Sequence, residues 1–576
     1  MSDAAKRGYA PPDASPRGTA TARPRAGFRR LPGDLRLGAL IYAAKTPFFA
    51  LPLYRWTLGG KAVVAPRVVA SDPWPGDAAT GETILDGGLV LKGRHYPRIA
   101  PPWHPPGLPL SILLELHGFD WLRHLRTMGG DNARRRAREL TAFWIEQHRD
   151  WHPLAWHPLA IGRRLSSWFG LYEFFGASAD ILFRQTLLQS AGCQAQHLAR
   201  ALPAGLTGAD LLEAVKGLVI AGISLPGGEP WLERGISLLL QEIRRQIEID
   251  GGHAERSPGA QLRALRDLID VRALLIAAER EVPPDLQLAV ERLAAVLRLL
   301  RHGDGGLALF NGGNEEEAWL IDSLLQRASR RSKPLMSAPQ SGFQRLQAGR
   351  SLVIVDAGAP PPPAHDRRAH AGTLSFEMSV GRERMIVNCG AFEADAGLAA
   401  AARGTSAHST LIVADTNSSG VLTSGGLARR PRNVVCRRQE GEGGLWLELN
   451  HDGYQARFGL IHHRRFYLAE SGDDLRGEDR LEGRDLGPLD FALRFHLHPT
   501  VQASLVQTGD SVLLRLPKAG GWRLRLRGAE LSLDDGVYLG QRGKLRRCTQ
   551  IVATGRTEGG QAVIKWALQR ETGRGE

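Results

Sequence analysis

Two histidines stand where proton transfer is feasible. His253 lies in "DGGHAERSP", between two stretches of helical periodicity, at a Gly-Gly turn from which side chains can project. Imidazole titrates near neutrality, which suits a general base, and Glu255 is close enough in sequence to orient it. The same string also reads as a helix start, with Ser257 as N-cap and Pro258 as the first helical residue. His370 precedes the alternating run Leu374, Phe376, Met378, Val380. It stands either at the mouth of a site or simply at the start of a strand. Arg256 and Arg368 can each grip a carboxylate or sulfate through two parallel N–H donors. "RFHLHP" places Arg494, His496 and His498 on one face of a strand by period two, a polar sheet face in the absence of a third ligand.

The elements that must position these groups fall into two classes. From about residue 105 to 330, apolar positions recur every three or four residues, as in "GADLLEAVKGLVIAGISL" and "GAQLRALRDLIDVRALLIAAERE", and Gly or Pro closes each run. That is a layered helical domain. The tandem "WHPLAWHPLA" (151–160) reads as an extended or turn segment, its tryptophans available for packing or for stacking on sugars. "NGGNEEEAWL" reads as a helix start capped by Asn314. After residue 335 the runs become short and alternating ("TLSFEMSV", "RMIVNCG", "DFALRFHLHP", "GWRLRLRG") and are separated by Gly, Asp and Pro. Helices followed by antiparallel strands predict two segregated domains, the second a β-sandwich. The expected divisions are 1–31, 32–334 and 335–570.

Composition narrows the function classes. The chain has 576 residues, 43% of them hydrophobic, and exceeds the roughly 250–300 residues one core serves. Its net charge of +14 is carried mostly by arginine spread along the chain, which suits an anionic partner without specifying one. No nucleic-acid recognition motif accompanies that charge. Four distant cysteines exclude a zinc knuckle or disulfide scaffold. Residues 1–31, rich in Pro, Ala, Arg and Gly, predict a disordered tail without a secretory signal. The apolar stretch 38–61 is interrupted by Lys45, Pro47, Pro52 and Arg55 well before the ~20 residues a membrane span needs. An interfacial helix with peripheral membrane contact is the expectation, with no transmembrane segment.

Five strings in order, "ADLLEAVKGLVIAG", "DGGHAERSPGAQLRALRDLIDV", "NGGNEEE", "HAGTLSFEMSVGRERMIVNCGAFE" and "GTSAHSTLIV", resemble the heparinase II/III family of polysaccharide lyases. The resemblance implies an incomplete (α/α) toroid followed by an antiparallel β-sandwich, with an acidic polysaccharide held in the cleft between them. It implies β-elimination: a cation or amide against the uronate carboxylate, a base at C5, and an acid for the departing O4. The family's Asn-His-x-x-Glu frame falls on Ala209, Asp210 and Glu213, so only Glu213 is kept. Its Tyr-His pair falls on Ala260 and Gln261, and its His-x-His on Arg368 and His370. A carbon–oxygen lyase would therefore rest on His253, His370, Glu255 and Glu213, with Arg256 and Arg368 on the substrate. The alternative is a non-catalytic glycan-binding or scaffold protein with the same fold. The family's structural metal positions correspond to His370, Asn388 and His408. With neutral Asn388 in place of a carboxylate, they imply a hydrogen-bonded triad, or at most a weakly held zinc ion. The resemblance points to the cell envelope, whereas the missing signal points to the cytoplasm.

Overall fold

The computed structural model describes residues 33–571 apart from 60–62, 98–102, 104, 106, 329–333, 394 and 442, so the expected tail at 1–31 lies outside the described residues. The helical part is an incomplete (α/α) toroid. At its centre runs Gly208–Ser224, "GADLLEAVKGLVIAGIS", whose side chains are buried nearly all round. Such a helix must be enclosed on every side. It is enclosed by Pro158–Gly170, Glu229–Gln246 and Pro258–Ala277. The tightest approach is between Gly162 and Gly217, where a Cβ on Gly217 would fall 2.3 Å from the Gly162 carbonyl oxygen. Only glycine allows those helix axes to approach so closely.

Helix starts follow the sequence logic in part. Ser257 accepts from the Ala260 N–H and Pro258 opens the helix. Pro158, in the tandem repeat, likewise opens a helix, and Trp156 beside it is packed in the core. "NGGNEEE" departs from the expectation. Its helix begins only at Ala318, because Asn314 donates instead to the carbonyls of Ala391 and Leu539, and the Glu315 N–H to that of Gly540.

Apart from a two-stranded antiparallel pair, Leu89–Leu91 with Arg94–Tyr96, the described strands begin at Ser337 and form an antiparallel β-sandwich. In one sheet, Ser351–Asp356 and Phe376–Val380 are buried at every residue, because that sheet is covered on both faces. One face meets the second sheet around Phe376, Phe466, Phe495 and Trp566. The other meets the toroid around Leu300, Phe310, Phe343 and Ile354. The second sheet runs Gln502–Leu505, Ser511–Leu516, Gly520–Arg527, Gln561–Arg570, Asp474–Gly483, Leu460–Ala469, Gly444–His451, Val434–Gly441. Its Leu460–Ala469 strand alternates buried and more exposed residues, so one face of this sheet looks outward.

Polar pins lock the two domains. Arg256, at φ +50°, donates to the carbonyls of Ser341 (2.7 Å) and Gly342 (3.0 Å) and to the carboxylate of Asp356. Arg384 reaches back to Asp304 (2.7 Å) and the Leu307 carbonyl (2.9 Å). His302 meets Glu377 at 2.9 Å. No single helix among the described residues is long and apolar enough to cross a membrane.

Candidate functional site: the interdomain cleft

Between toroid and sandwich lies a cleft of about 230 Å³. Its described lining carries seven cations, Lys92, Arg123, Arg163, Arg263, Arg266, Arg368 and Arg542, and five carboxylates, Glu115, Asp120, Glu213, Glu316 and Glu393. Among the described residues that lining includes no histidine and no tyrosine.

The cations come from several elements. Arg263 and Arg266 lie three residues apart on Pro258–Ala277, the helix launched by the Ser257 cap, and so share a face. Arg163 comes from the buried helix Pro158–Gly170, Arg368 from the loop before the Phe376 strand, and Arg542 from the loop after Tyr538.

These charges are cross-braced. Arg163 binds Glu213 at 2.8 Å, and Arg263 binds Asp210 at 2.8 Å. Three pairs cross between the domains: Arg368 to Asp210 at 3.4 Å, Lys92 to Glu393 at 3.4 Å, and Arg542 to Glu316 at 2.8 Å. Arg368 also lies 3.7 Å from Glu393. Asp210 is thus a half-buried hub. Burial works against its charge, yet Arg368, Arg263 and Arg163 together hold its carboxyl far below the usual range. Burial likewise opposes ionisation of Glu213, but Arg163 outweighs it and draws the pKa down to about 2. Lys92 is the main cause that lowers Glu393 to about 2. All three are carboxylates at neutral pH, so none is poised to donate a proton.

The expected site residues divide between the cleft and the layer behind it. Glu213 and Arg368 line the cleft. Glu255 lines a small adjoining recess with Asp210 and Arg367, and its Oε1 accepts the Ala209 N–H at 2.8 Å, at the start of the central helix. His253 is enclosed. Its backbone N–H donates to Gln261 Oε1 (2.7 Å), its ring Nε2 meets Gln246 Oε1 (3.0 Å), and burial lowers its pKa to about 4. Gln261, at the position of the family's histidine, is spent on the carbonyls of Gly251 and Leu293. Arg256 spends its donors on the interdomain pin described above.

His370 sits one layer behind the cleft wall. A Cβ built on the wall residue Gly312 would lie 3.9 Å from His370 Nε2. The ring's protonation follows from its partners. His408 Nδ1 lies 2.7 Å from the Gly404 carbonyl, which can only accept, so that nitrogen carries the hydrogen. Burial lowers His408 to about 4, so at neutral pH its Nε2 is bare and must accept from His370 Nδ1 at 3.1 Å. Burial also depresses His370 well below its ordinary range, leaving its Nε2 with a free lone pair directed toward Gly312.

Asn388 does not join this pair. Its Oδ1 accepts the Ser409 N–H (3.0 Å) and its Nδ2 donates to Glu377 (3.2 Å). Two imidazoles facing each other with no anionic ligand do not fit a resident metal ion. No group of three or more His, Cys, Asp or Glu side chains suited to a metal occurs among the described residues.

Sequence reading missed Asp210, Arg163, Arg263, Arg266, Lys92, Glu393 and Arg542. The arginines at 263 and 266 carried a signal in their helical spacing just after the Ser257 cap. Lys92 and Arg542 carried none, because only the fold brings those distant loops together.

The "Heparinase II/III N-terminus" family model matches residues 132–329, and "Heparinase II/III-like, C-terminal" matches 330–567. FtsZ-localized protein C of Caulobacter vibrioides is 34% identical over 535 residues, covering 87% of this chain and 90% of its own. Heparin-sulfate lyase of Pedobacter heparinus is 26% identical over 204 residues, 32% of this chain and 30% of its own. A solved structure of heparinase III superimposes with a TM-score of 0.71 at 16% identity, covering 94% of this chain and 92% of that one. At that identity the likeness bears on the fold alone.

Proposed function

The chain belongs to the heparinase II/III family, and from that premise we propose that it binds an anionic, uronate-containing glycan in its interdomain cleft without cleaving it. The observation that carries this reading is the described lining: seven Lys and Arg side chains and no imidazole or phenol. Cations can hold a uronate carboxylate, but elimination also needs a base at C5 and an acid at O4. Glu213 and Glu393 are held ionised by Arg163 and Lys92 and supply no acid. The extensive relative that is named for localisation with FtsZ, and not for lysis, is consistent with this reading.

The test is to incubate the protein with a panel of uronate polysaccharides, following ultraviolet absorbance of an unsaturated uronate product beside calorimetric binding. Binding that weakens in Arg368→Ala, with flat absorbance, is expected. Growth of absorbance would overturn the non-catalytic reading, and absence of binding across the panel would overturn glycan binding.

One observation favours a second reading, a working lyase. His370 Nε2 is a neutral base with its tautomer fixed by His408, and it lies close behind Gly312 of the cleft wall. If activity appears, His370→Ala abolishes it in this reading, whereas enclosed His253 and the capping Glu255 act only by holding the scaffold.

The reading also includes a peripheral membrane contact. On the helix Gly33–Phe49, Leu37, Leu40, Ile41 and Phe48 are exposed while Phe49 is buried, so much of its apolar surface faces outward. Leu51, Leu53 and Trp56, the last 81% exposed, extend that surface. Residues 1–31 add seven Lys and Arg against two Asp. An apolar face beside cationic charge suits an anionic lipid surface. Sedimentation with phosphatidylglycerol vesicles, lost in a Leu40→Glu/Trp56→Glu variant, is the expected result. Equal sedimentation of that variant would overturn the contact.

A further inference from the structure

On the outward face of the second sheet, whose lining shares no residue with the cleft, we infer a separate binding platform for an acidic glycan chain. The face forms a shallow concavity of about 940 Å³, several times larger than the cleft.

Its floor is set by register. Trp446 pairs with Tyr467, Tyr467 with Arg476, Arg476 with Ala567 and Ala567 with Arg525, so these five side chains form one row across five strands. At the usual strand spacing the row spans roughly 19 Å, the scale of a short oligosaccharide. Small Ala567 leaves a trough between the two arginines.

One end of the row is aromatic. Trp446 is 45% exposed, its ring centroid 4.5 Å from that of Tyr467. Tyr467 is itself fixed by donating its hydroxyl to the Gly443 carbonyl at 2.6 Å. An indole on a regular strand, supported from the side and open to water, presents a rigid apolar surface that loses little entropy on binding. The C–H face of a pyranose ring is a flat surface that can stack on it.

The other end is cationic and under-compensated. In the next row Arg465 is paired with Glu448 at 3.1 Å and Lys565 with Glu478 at 3.6 Å, while Arg476 in the first row is paired with Asp474 at 2.7 Å. Arg525 bonds the neutral Gln569 side chain at 3.2 Å, and the carboxylate acting on it is the fully exposed Asp510. Arg527, beside it in the second row, forms no ion pair among the described residues. The lining totals five cations to two carboxylates. In the cleft, by contrast, most cations already face carboxylates. A chain that stacks a sugar on Trp446 and carries a carboxylate to Arg525 and Arg527 satisfies both ends; a neutral glycan satisfies only one, and a simple polyanion only the other.

The experiment is affinity electrophoresis of the full chain through gels containing polygalacturonate, dextran or dextran sulfate. Each variant is first checked for unchanged melting, which surface substitutions on this face should preserve. The platform predicts retardation by polygalacturonate that falls at least about fivefold in Trp446→Ala and in Arg525→Ala/Arg527→Ala. Trp446→Phe should retain it, and dextran should not retard. Wild-type retardation in both sheet-face variants, or its loss only in Arg368→Ala, would overturn the platform while leaving the cleft reading intact. Equal retardation by dextran sulfate with no effect of Trp446→Ala would reduce the face to charge attraction and also overturn it.

Discussion

Glu393 Oε2 of the sheet domain faces Lys92 Nζ of the helical domain across 3.4 Å, and its other oxygen lies 3.7 Å from Arg368. The protein thereby lodges a carboxylate of its own among the cations that would receive a uronate. Any acidic ligand in the cleft must displace or share it. Glu393→Gln removes the competing charge while keeping the side chain's shape. Uronate oligosaccharide binding should tighten by about two- to fivefold, the scale of a partly exposed ion pair. Isothermal titration calorimetry of both proteins checks this, and unchanged or weaker binding in the variant would show that Glu393 does not compete.

Arg256 illustrates an opposite use of a guanidinium. Its fork is buried among sheet-domain carbonyls and the Asp356 carboxylate, while Asn311 Nδ2 donates to the Arg256 backbone carbonyl at 2.9 Å. Arg256→Ala leaves Asp356 buried without its cation, a change that typically costs about 3–5 kcal/mol. Urea denaturation should show a large fall in midpoint. Arg256→Lys should recover only part of it, since a point ammonium cannot span several carbonyls.

The toroid and sandwich were legible because the apolar period changes from three or four residues to two near residue 335. What the sequence hid was which polar residues the two domains turn inward. His253 and Arg256 have the right chemistry for a base and an anion clamp, but the turn that carries them packs between the layers, so their polar atoms serve the scaffold. Asn314 sits where a helix cap is expected, yet carbonyls of the sheet domain compete for its amide. Asp210 gave no local sign of being a hub, because its partners lie 53 and 158 residues away.

Acidification should destabilise the fold through its enclosed imidazoles. His253 and His408 have pKa values lowered by burial from 6.5 to about 4, and His496 to about 3. Between those values the unfolded chain binds protons the folded chain refuses, so stability present above about pH 6.5 is lost as pH falls through the folded pKa. Each depression of this size corresponds to on the order of 3 kcal/mol. Denaturation midpoints should therefore drop from pH 7 to pH 4.5. Glu213 and Glu393, lowered to about 2, add their own loss only in more acidic solution. A midpoint constant over pH 7 to 4.5 would mean that water reaches these rings.

The pairing of His370 with His408 makes the sharpest spectroscopic claim. Because His408 Nδ1 must donate to the Gly404 carbonyl, both rings should be neutral at pH 7, with hydrogen on Nδ1 and a bare Nε2. Long-range ¹H–¹⁵N correlation spectra resolve that tautomer directly. His408→Ala removes the acceptor and frees His370 to reorient, so its spectrum should change to a mixture of tautomers even though His408 does not line the cleft. The same geometry bears on metal. With Asn388 held by Ser409 and Glu377 and no carboxylate beside the imidazoles, zinc should neither shift these resonances at stoichiometric concentration nor raise the melting temperature, and a chelator should not lower it. A stoichiometric zinc shift would mean that the two rings part to admit a cation and that Asn388 turns its oxygen toward them.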